Sequence, residues 1–149
     1  MSVLGIDEIT YGADDFEQCK KFFLDWGLEL RSESEGKQVY ATLNGCLVNL
    51  VKQDAPGLPT PIEQGPTLRE VVWGVDSQQA LDALAQGAQA LPGYRYADGR
   101  LYCVDPIGLS VVFQVTRKKP LDLECGQMNT WAEKPRVNAR SPIYERAQP

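Results

Sequence analysis

Two carboxylates, Glu8 and Glu70, recur at matching positions of the chain. Each sits in a short segment of the same pattern: Glu8-Ile9-Thr10-Tyr11-Gly12-Ala13-Asp14 and Glu70-Val71-Val72-Trp73-Gly74-Val75-Asp76, 62 residues apart. Carboxylates are oxygen donors of the kind that a hard cation such as Mg²⁺ or Mn²⁺ takes. The chain has no histidine. That excludes a Ser/His/Asp triad and the imidazole ligands that iron, zinc and nickel sites favour. The four cysteines, Cys19, Cys46, Cys103 and Cys125, have neither C-x-x-C nor zinc-ligand spacing. They read as small buried hydrophobes, because a nucleophilic thiol needs a neighbouring base or cation. There is no P-loop and no G-x-G-x-x-G.

The elements that position the two glutamates follow from the repeat. Each segment ends in Asp and enters an apolar stripe at helical spacing. The first helix is expected from about Asp15 to Trp26, capped by Asp14 or Asp15, with Phe16, Cys19, Phe22, Phe23 and Trp26 as one stripe and Gly27 as its stop. The second follows Asp76-Ser77, with Ala80, Leu81 and Leu84 inward and Gly87 at its end. A second match closes each unit: Gly45–Val51 against Gly108–Gln114, offset by 63. Between helix and closing strand, 28–33 and 37–43 read as strands in one unit, and 89–96 and 100–105 in the other, with Asp98-Gly99 as a hairpin turn. Each unit is β-α-β-β-β. The stretch 53–65, with Pro56, Pro59 and Pro61, links them. The expected fold class is α+β: an open mixed sheet with a cleft and with helices on the outer face, units at about 3–52 and 66–115 within a domain 1–116.

Alternation assigns faces. Ile9, Tyr11 and Ala13, with Cys46, Val48 and Leu50, belong under the first helix; Val71, Trp73 and Val75, with Leu109, Val111 and Phe113, belong under the second. Glu8, Thr10, Asn49, Glu70 and Val112 point the other way. That face mixes polar and apolar residues, as the wall of a partly solvated cleft does. Trp26, Trp73 and Trp131 read as core or tail anchors.

A duplicated βαβββ unit of this length resembles the vicinal oxygen chelate superfamily, which includes glyoxalase I, bleomycin-resistance proteins and extradiol ring-cleavage dioxygenases. Gly5–Thr10, Asp14–Glu17, Lys21–Glu29 and Asp105–Phe113 are similar to its opening strand, helix entry, helix end and closing strand, so the resemblance covers about residues 3–115. It implies four cleft positions at which the family holds its metal: Glu8, Asn49, Glu70 and Val112. Here the two positions usually given to histidine are glutamate, and the usual closing glutamate is Val112. The resemblance therefore implies no catalytic, cofactor-binding or metal-ligating residue in this chain. Two carboxylates brought together without a cation repel one another, so Glu8→Gln is expected to be neutral or slightly stabilising.

Residues 117–149 belong to neither unit. Residues 1–116 hold 8 Lys/Arg and 16 Asp/Glu, a charge of −8; residues 117–149 hold 7 and 4, a charge of +3. The tail is proline-containing and resembles the segment that joins two barrels in two-domain extradiol-dioxygenase-like proteins, where the N-terminal barrel is commonly metal-free and Fe²⁺ or another divalent metal sits in the C-terminal one. Its Leu121, Leu123, Met128, Trp131 and Tyr144 predict that it is buried, by dimerisation or otherwise. Three functions rank in order: the metal-free N-terminal module of such a protein, a self-contained small-molecule-binding protein of the bleomycin-resistance type, and a divalent-metal enzyme using Glu8 and Glu70. A small aromatic or other small molecule is the expected ligand, with a homo-oligomer or second domain as partner. The net charge of −5 argues against nucleic acid, no apolar run is long enough for a membrane, and the N-terminus carries no signal-peptide pattern, so a cytoplasmic chain is expected.

Overall fold

The computed structural model describes residues 2–122. The first unit runs β1 (Val3–Ala13), α1 (Phe16–Asp25), β2 (Glu29–Ser34), β3 (Lys37–Ala41) and β4 (Leu47–Lys52). The second runs β5 (Thr67–Val75), α2 (Gln78–Gly87), β6 (Arg95–Ala97), β7 (Arg100–Val104) and β8 (Ser110–Val115). Both are βαβββ, as the repeat requires. Residues 53–66 between them carry no helix or strand. The tail beyond residue 122, with Cys125 and Trp131 and the burial expected of it, lies outside the described residues.

The helices start where capping side chains satisfy free amides. Asp15 Oδ1 accepts from Gln18 N at 2.9 Å, and Ser77 Oγ accepts from Ala80 N at 3.2 Å. Both helices lie on one face of the sheet. Under α1, Phe23 meets Tyr40, Val48 and Leu50, with Ile9, Tyr11, Phe16 and Cys19 packed around them. Under α2, Leu81 and Ala85 meet Val75 and Leu101, with Phe113 and Val115 alongside. Three sequence expectations are corrected here. Phe22 and Trp26 do not belong to the buried stripe of α1: they are 59% and 71% exposed, and their rings meet at a tilt with centroids 5.9 Å apart. Only the narrower set of Phe16, Cys19 and Phe23 fits beneath the helix, because one helix face reaches the sheet. Cys46 precedes β4 and turns its thiol to Ile6 O (3.4 Å) instead of α1. Residues 89–94 of the expected strand 89–96 are turn and irregular chain, and β6 is confined to Arg95–Ala97, since Gly93 takes φ +69° and Leu91 N and Tyr94 N donate to Ala88 O and Leu91 O.

The eight strands form one open mixed sheet in the order β2-β3-β4-β1-β5-β8-β7-β6. Parallel pairs join β1 to β4 and β5 to β8, and the two units meet through an antiparallel β1–β5 ladder at the centre. That ladder has three register shifts, one between Val3 and Gly5 at its end and two further in that simple alternation does not reveal. Ile6 pairs with Trp73 but Glu8 with Val72, so Asp7 is an extra residue on β1; Thr10 pairs with Glu70 but Tyr11 with Leu68, so Arg69 is an extra residue on β5. The two bulges are 62 residues apart, the offset of the repeat. Each places its extra side chain over a glycine of the other unit. A Cβ on Gly74 would lie 2.8 Å from Asp7 Cγ, and one on Gly12 would lie 2.8 Å from Arg69 Nε.

Candidate functional site

Glu8, Asn49, Glu70 and Val112, the four positions that the resemblance implies, share the face of the sheet opposite the helices, on the four central strands. Asn49, Thr10, Glu70 and Ser110 are successive partners across β4, β1, β5 and β8. The neighbouring row runs Leu47, Glu8, Val72, Val112 and Tyr102. Glu8 and Glu70 are thus diagonal neighbours about the approximate two-fold that relates the units. Val72 and Val112 are fully buried and form the apolar centre of this second row, beside the polar row of Asn49, Thr10, Glu70 and Ser110.

Each glutamate already has a partner. Arg100 Nη2 donates to Glu8 Oε1 at 2.8 Å, with 21% and 12% of the two side chains exposed. The pair spans β7 to β1 across two intervening strands, about 14 Å of sheet at normal strand spacing. Two long side chains meet across that span. Ser110 Oγ donates to Glu70 Oε2 at 3.0 Å. Asn49 Nδ2 reaches Thr10 Oγ1 at 3.5 Å, the limit of a hydrogen bond. Beside Arg100 on the same face, the Arg95 guanidinium lies 3.7 Å from the centroid of the Tyr102 ring, a cation–π contact. The β6–β7 hairpin presents both arginines through a tight turn in which Asp98 and Gly99 take φ +54° and +71°. The premise of the Glu8→Gln expectation changes: Glu8 faces a cation of its own, so losing its charge is now expected to cost stability.

Asp7 forms a second node, which sequence reasoning missed. It is 3% exposed and accepts from Gln114 Nε2 (3.1 Å), Thr116 Oγ1 (2.9 Å) and Arg117 N (3.1 Å), with Lys118 Nζ 3.7 Å away. A buried carboxylate needs this many donors to offset desolvation. The segment leaving β8 is thereby tied to β1. It goes on to the β3–β4 turn, where Lys119 N donates to Asn44 O at 2.8 Å, so residues 116–119 strap the second unit to the first. The readable signal was the repeat itself: Asp7-Glu8 matches Arg69-Glu70, and Gly12 matches Gly74. Arg69 is also buried, with its guanidinium on Pro59 O (2.8 Å) and Gln53 O (3.0 Å).

On the helix side, a cavity of about 680 Å³ lies between α1 and the sheet, lined mainly by apolar residues that include Ile9, Phe22, Trp26 and Leu50. Cys19 borders it, and burial pushes that thiol above its ordinary pKa, with Asp15 adding to the effect. Burial, reinforced by Asp105, does the same to Cys103. Neither thiol sits in the electropositive setting that a reactive cysteine needs. Cys19, Cys46 and Cys103 are free thiols.

A divalent ion at the four positions that the resemblance implies fits these residues poorly. Val112 offers no donor atom, no imidazole is available, and the Glu8 carboxylate is engaged by a guanidinium. Among the described residues, no three His, Cys, Asp or Glu side chains are grouped to hold a metal, and no helix is long and apolar enough to cross a membrane.

No family model and no curated protein matches the sequence. Solved structures do match. A Mn(II)-bound glyoxalase from Novosphingobium aromaticivorans superposes with a TM-score of 0.60 at 22% identity, covering 82% of this chain and 42% of that one. An extradiol ring-cleaving dioxygenase from B. fuscum gives 0.59 at 19% identity, covering 80% and 34%. A methylmalonyl-CoA epimerase from Mycobacterium tuberculosis gives 0.51 at 16% identity, covering 76% and 89%. The chain therefore spans less than half the length of the glyoxalase and the dioxygenase. With two βαβββ units, an open mixed sheet, outer helices and these structural matches, the chain has the fold seen in these glyoxalase, dioxygenase and epimerase structures.

Proposed function

We propose that this chain is a metal-free module of the glyoxalase/dioxygenase type, equivalent to the N-terminal domain of a two-domain extradiol-dioxygenase-like protein, with a cleft-forming and structural role. The observation that carries the reading is the Glu8–Arg100 ion pair, because it commits a would-be ligand to a protein cation. The absence of imidazole and the donor-free side chain of Val112 support it. So does the coverage of about a third of the dioxygenase by this chain. On this account the polar groups of the cleft hold the two units together, and a metal-dependent ring cleavage belongs to another domain.

A second reading is favoured by one observation: the same fold accounts for 89% of the epimerase, so one such module suffices for a whole protein. The chain is then a self-contained binder of a small molecule, with the Glu70, Asn49 and Thr10 row as its polar contacts. The experiment that separates these readings supplies the purified chain with Fe²⁺ or Mn²⁺ and assays catechol ring cleavage and glyoxalase turnover, then screens small aromatic ligands by thermal shift. The module reading expects no turnover and no saturable ligand. Saturable binding that Glu70→Ala weakens supports the binder. Turnover abolished by both Glu8→Ala and Glu70→Ala would establish the enzyme and overturn both.

A further inference from the structure

The metal-poor donor set leaves one question open: what balances the carboxylates of this cleft. We infer that Arg100 is the resident cation of the site. Its guanidinium takes the position that a divalent ion would need at Glu8, and it keeps the cleft closed to divalent metal while the pair is intact. This inference rests on the metal-free reading and deepens it.

The argument begins with placement. Glu8 and Glu70 are diagonal neighbours on the β1–β5 ladder, since Glu8 pairs with Val72 and Thr10 with Glu70. Diagonal positions are about 7–8 Å apart at Cα, within reach of long side chains. Asn49 is next to Thr10 in the same row. Without Arg100, this face would present the Glu8 and Glu70 carboxylates and the Asn49 amide at adjacent positions of the sheet, oxygen donors of the kind a hard cation takes. Arg100 is built in to prevent that. The hairpin turn at Asp98-Gly99 fixes its strand, its side chain is four-fifths buried, and it crosses from the second unit to the first. The adjacent carboxylate, Asp7, has its own cation in Lys118. The two neighbouring acids are therefore each neutralised from within the chain.

The approximate two-fold supplies a control. Arg100 pairs with Gln114 and Lys37 with Val51, so the 63-residue offset makes Lys37 the equivalent of Arg100. Lys37 is exposed and forms no ion pair with Glu70 among the described residues, and Glu70 takes a hydroxyl instead. The closure is thus a property of one arginine and is not a general consequence of basic residues on this face.

The test is a Mn²⁺ titration of the full chain followed by the loss of the free-ion paramagnetic resonance signal, with thermal melting in parallel. Wild type and Lys37→Ala are expected to show no saturable binding. Arg100→Met is expected to gain affinity by on the order of tenfold or more, as ligand charge at the site is freed. Arg100→Met/Glu8→Gln is expected to lose that gain, and Arg100→Lys, which keeps the cation, to stay silent. Arg100→Gln repeats the measurement if the Met variant does not fold. A folded Arg100→Met or Arg100→Gln chain with Mn²⁺ binding unchanged from wild type overturns the inference while leaving the metal-free reading intact. Stoichiometric, tight Mn²⁺ binding by the wild-type chain overturns both.

Discussion

Adding one methyl group at Gly74 tests how the two units are joined. Gly74→Ala would place a Cβ 2.8 Å from both Asp7 Cγ and Thr116 Cβ. Neither neighbour can move cheaply. Asp7 is held by three hydrogen bonds and Thr116 is fixed by donating to it and by its own amide on Val75 O. Overpacking alone costs about 1–3 kcal/mol, and displacing a charged acceptor from buried donors costs about 1.5–3 kcal/mol more. The expected loss is roughly 3–5 kcal/mol by urea denaturation, or about 10 °C or more in Tm for a body of this size. Gly12→Ala meets the tip of the Arg69 side chain and should cost less, about 1–2 kcal/mol. The two sites also differ in coupling. Asp7→Ala removes the group that a new methyl would strike, so Gly74→Ala in an Asp7→Ala background should cost at least about 1 kcal/mol less than in wild type. A Gly74→Ala chain within about 0.5 kcal/mol of wild type, or strict additivity with Asp7→Ala, would refute the bulge-over-glycine account.

Glu8→Gln should destabilise by about 1–3 kcal/mol, because it leaves the part-buried Arg100 without its carboxylate; denaturation with Arg100→Met in a double-mutant cycle should give a favourable coupling between the two. Leu81→Ala, at a fully buried contact of α2 with the sheet, should cost about 2–5 kcal/mol by the same measurement. Burial holds the Cys103 thiol above its ordinary value of 9.0, so an aromatic disulfide reagent at pH 8 should label it far more slowly in the folded than in the unfolded chain. The same shift has a sign for stability. A group whose folded pKa is raised contributes fully below 9.0, and the contribution is lost as pH rises toward and through the folded value; Cys103→Ala should therefore flatten the alkaline limb of the stability–pH curve.

Much of the architecture was legible because it is written twice. The offsets of 62 and 63 residues, the capping Asp15 and Ser77, and the Asp98-Gly99 turn are local signals, and local signals set where elements begin and end. What escaped was non-local. A bulge shifts alternation by one residue, so the Asp7 and Arg69 side chains land on the face where period-two reading denies them a place. Arg100 lies 92 residues from Glu8, and nothing in its own neighbourhood announces the pairing. The α1 stripe was overdrawn for a simpler reason. Five apolar residues at helical spacing do not reveal how much of the helix the sheet covers, and the covered width is set by tertiary packing.

The central claim is that the cleft is balanced by a protein cation and holds no metal of its own. Elemental analysis of chain purified without chelator tests it most directly, with iron, zinc, nickel, manganese and magnesium measured against protein concentration. The account predicts metal far below one equivalent in wild type and no change in Glu8→Ala or Glu70→Ala. One equivalent of a divalent metal in wild type, lost in both variants, would contradict it.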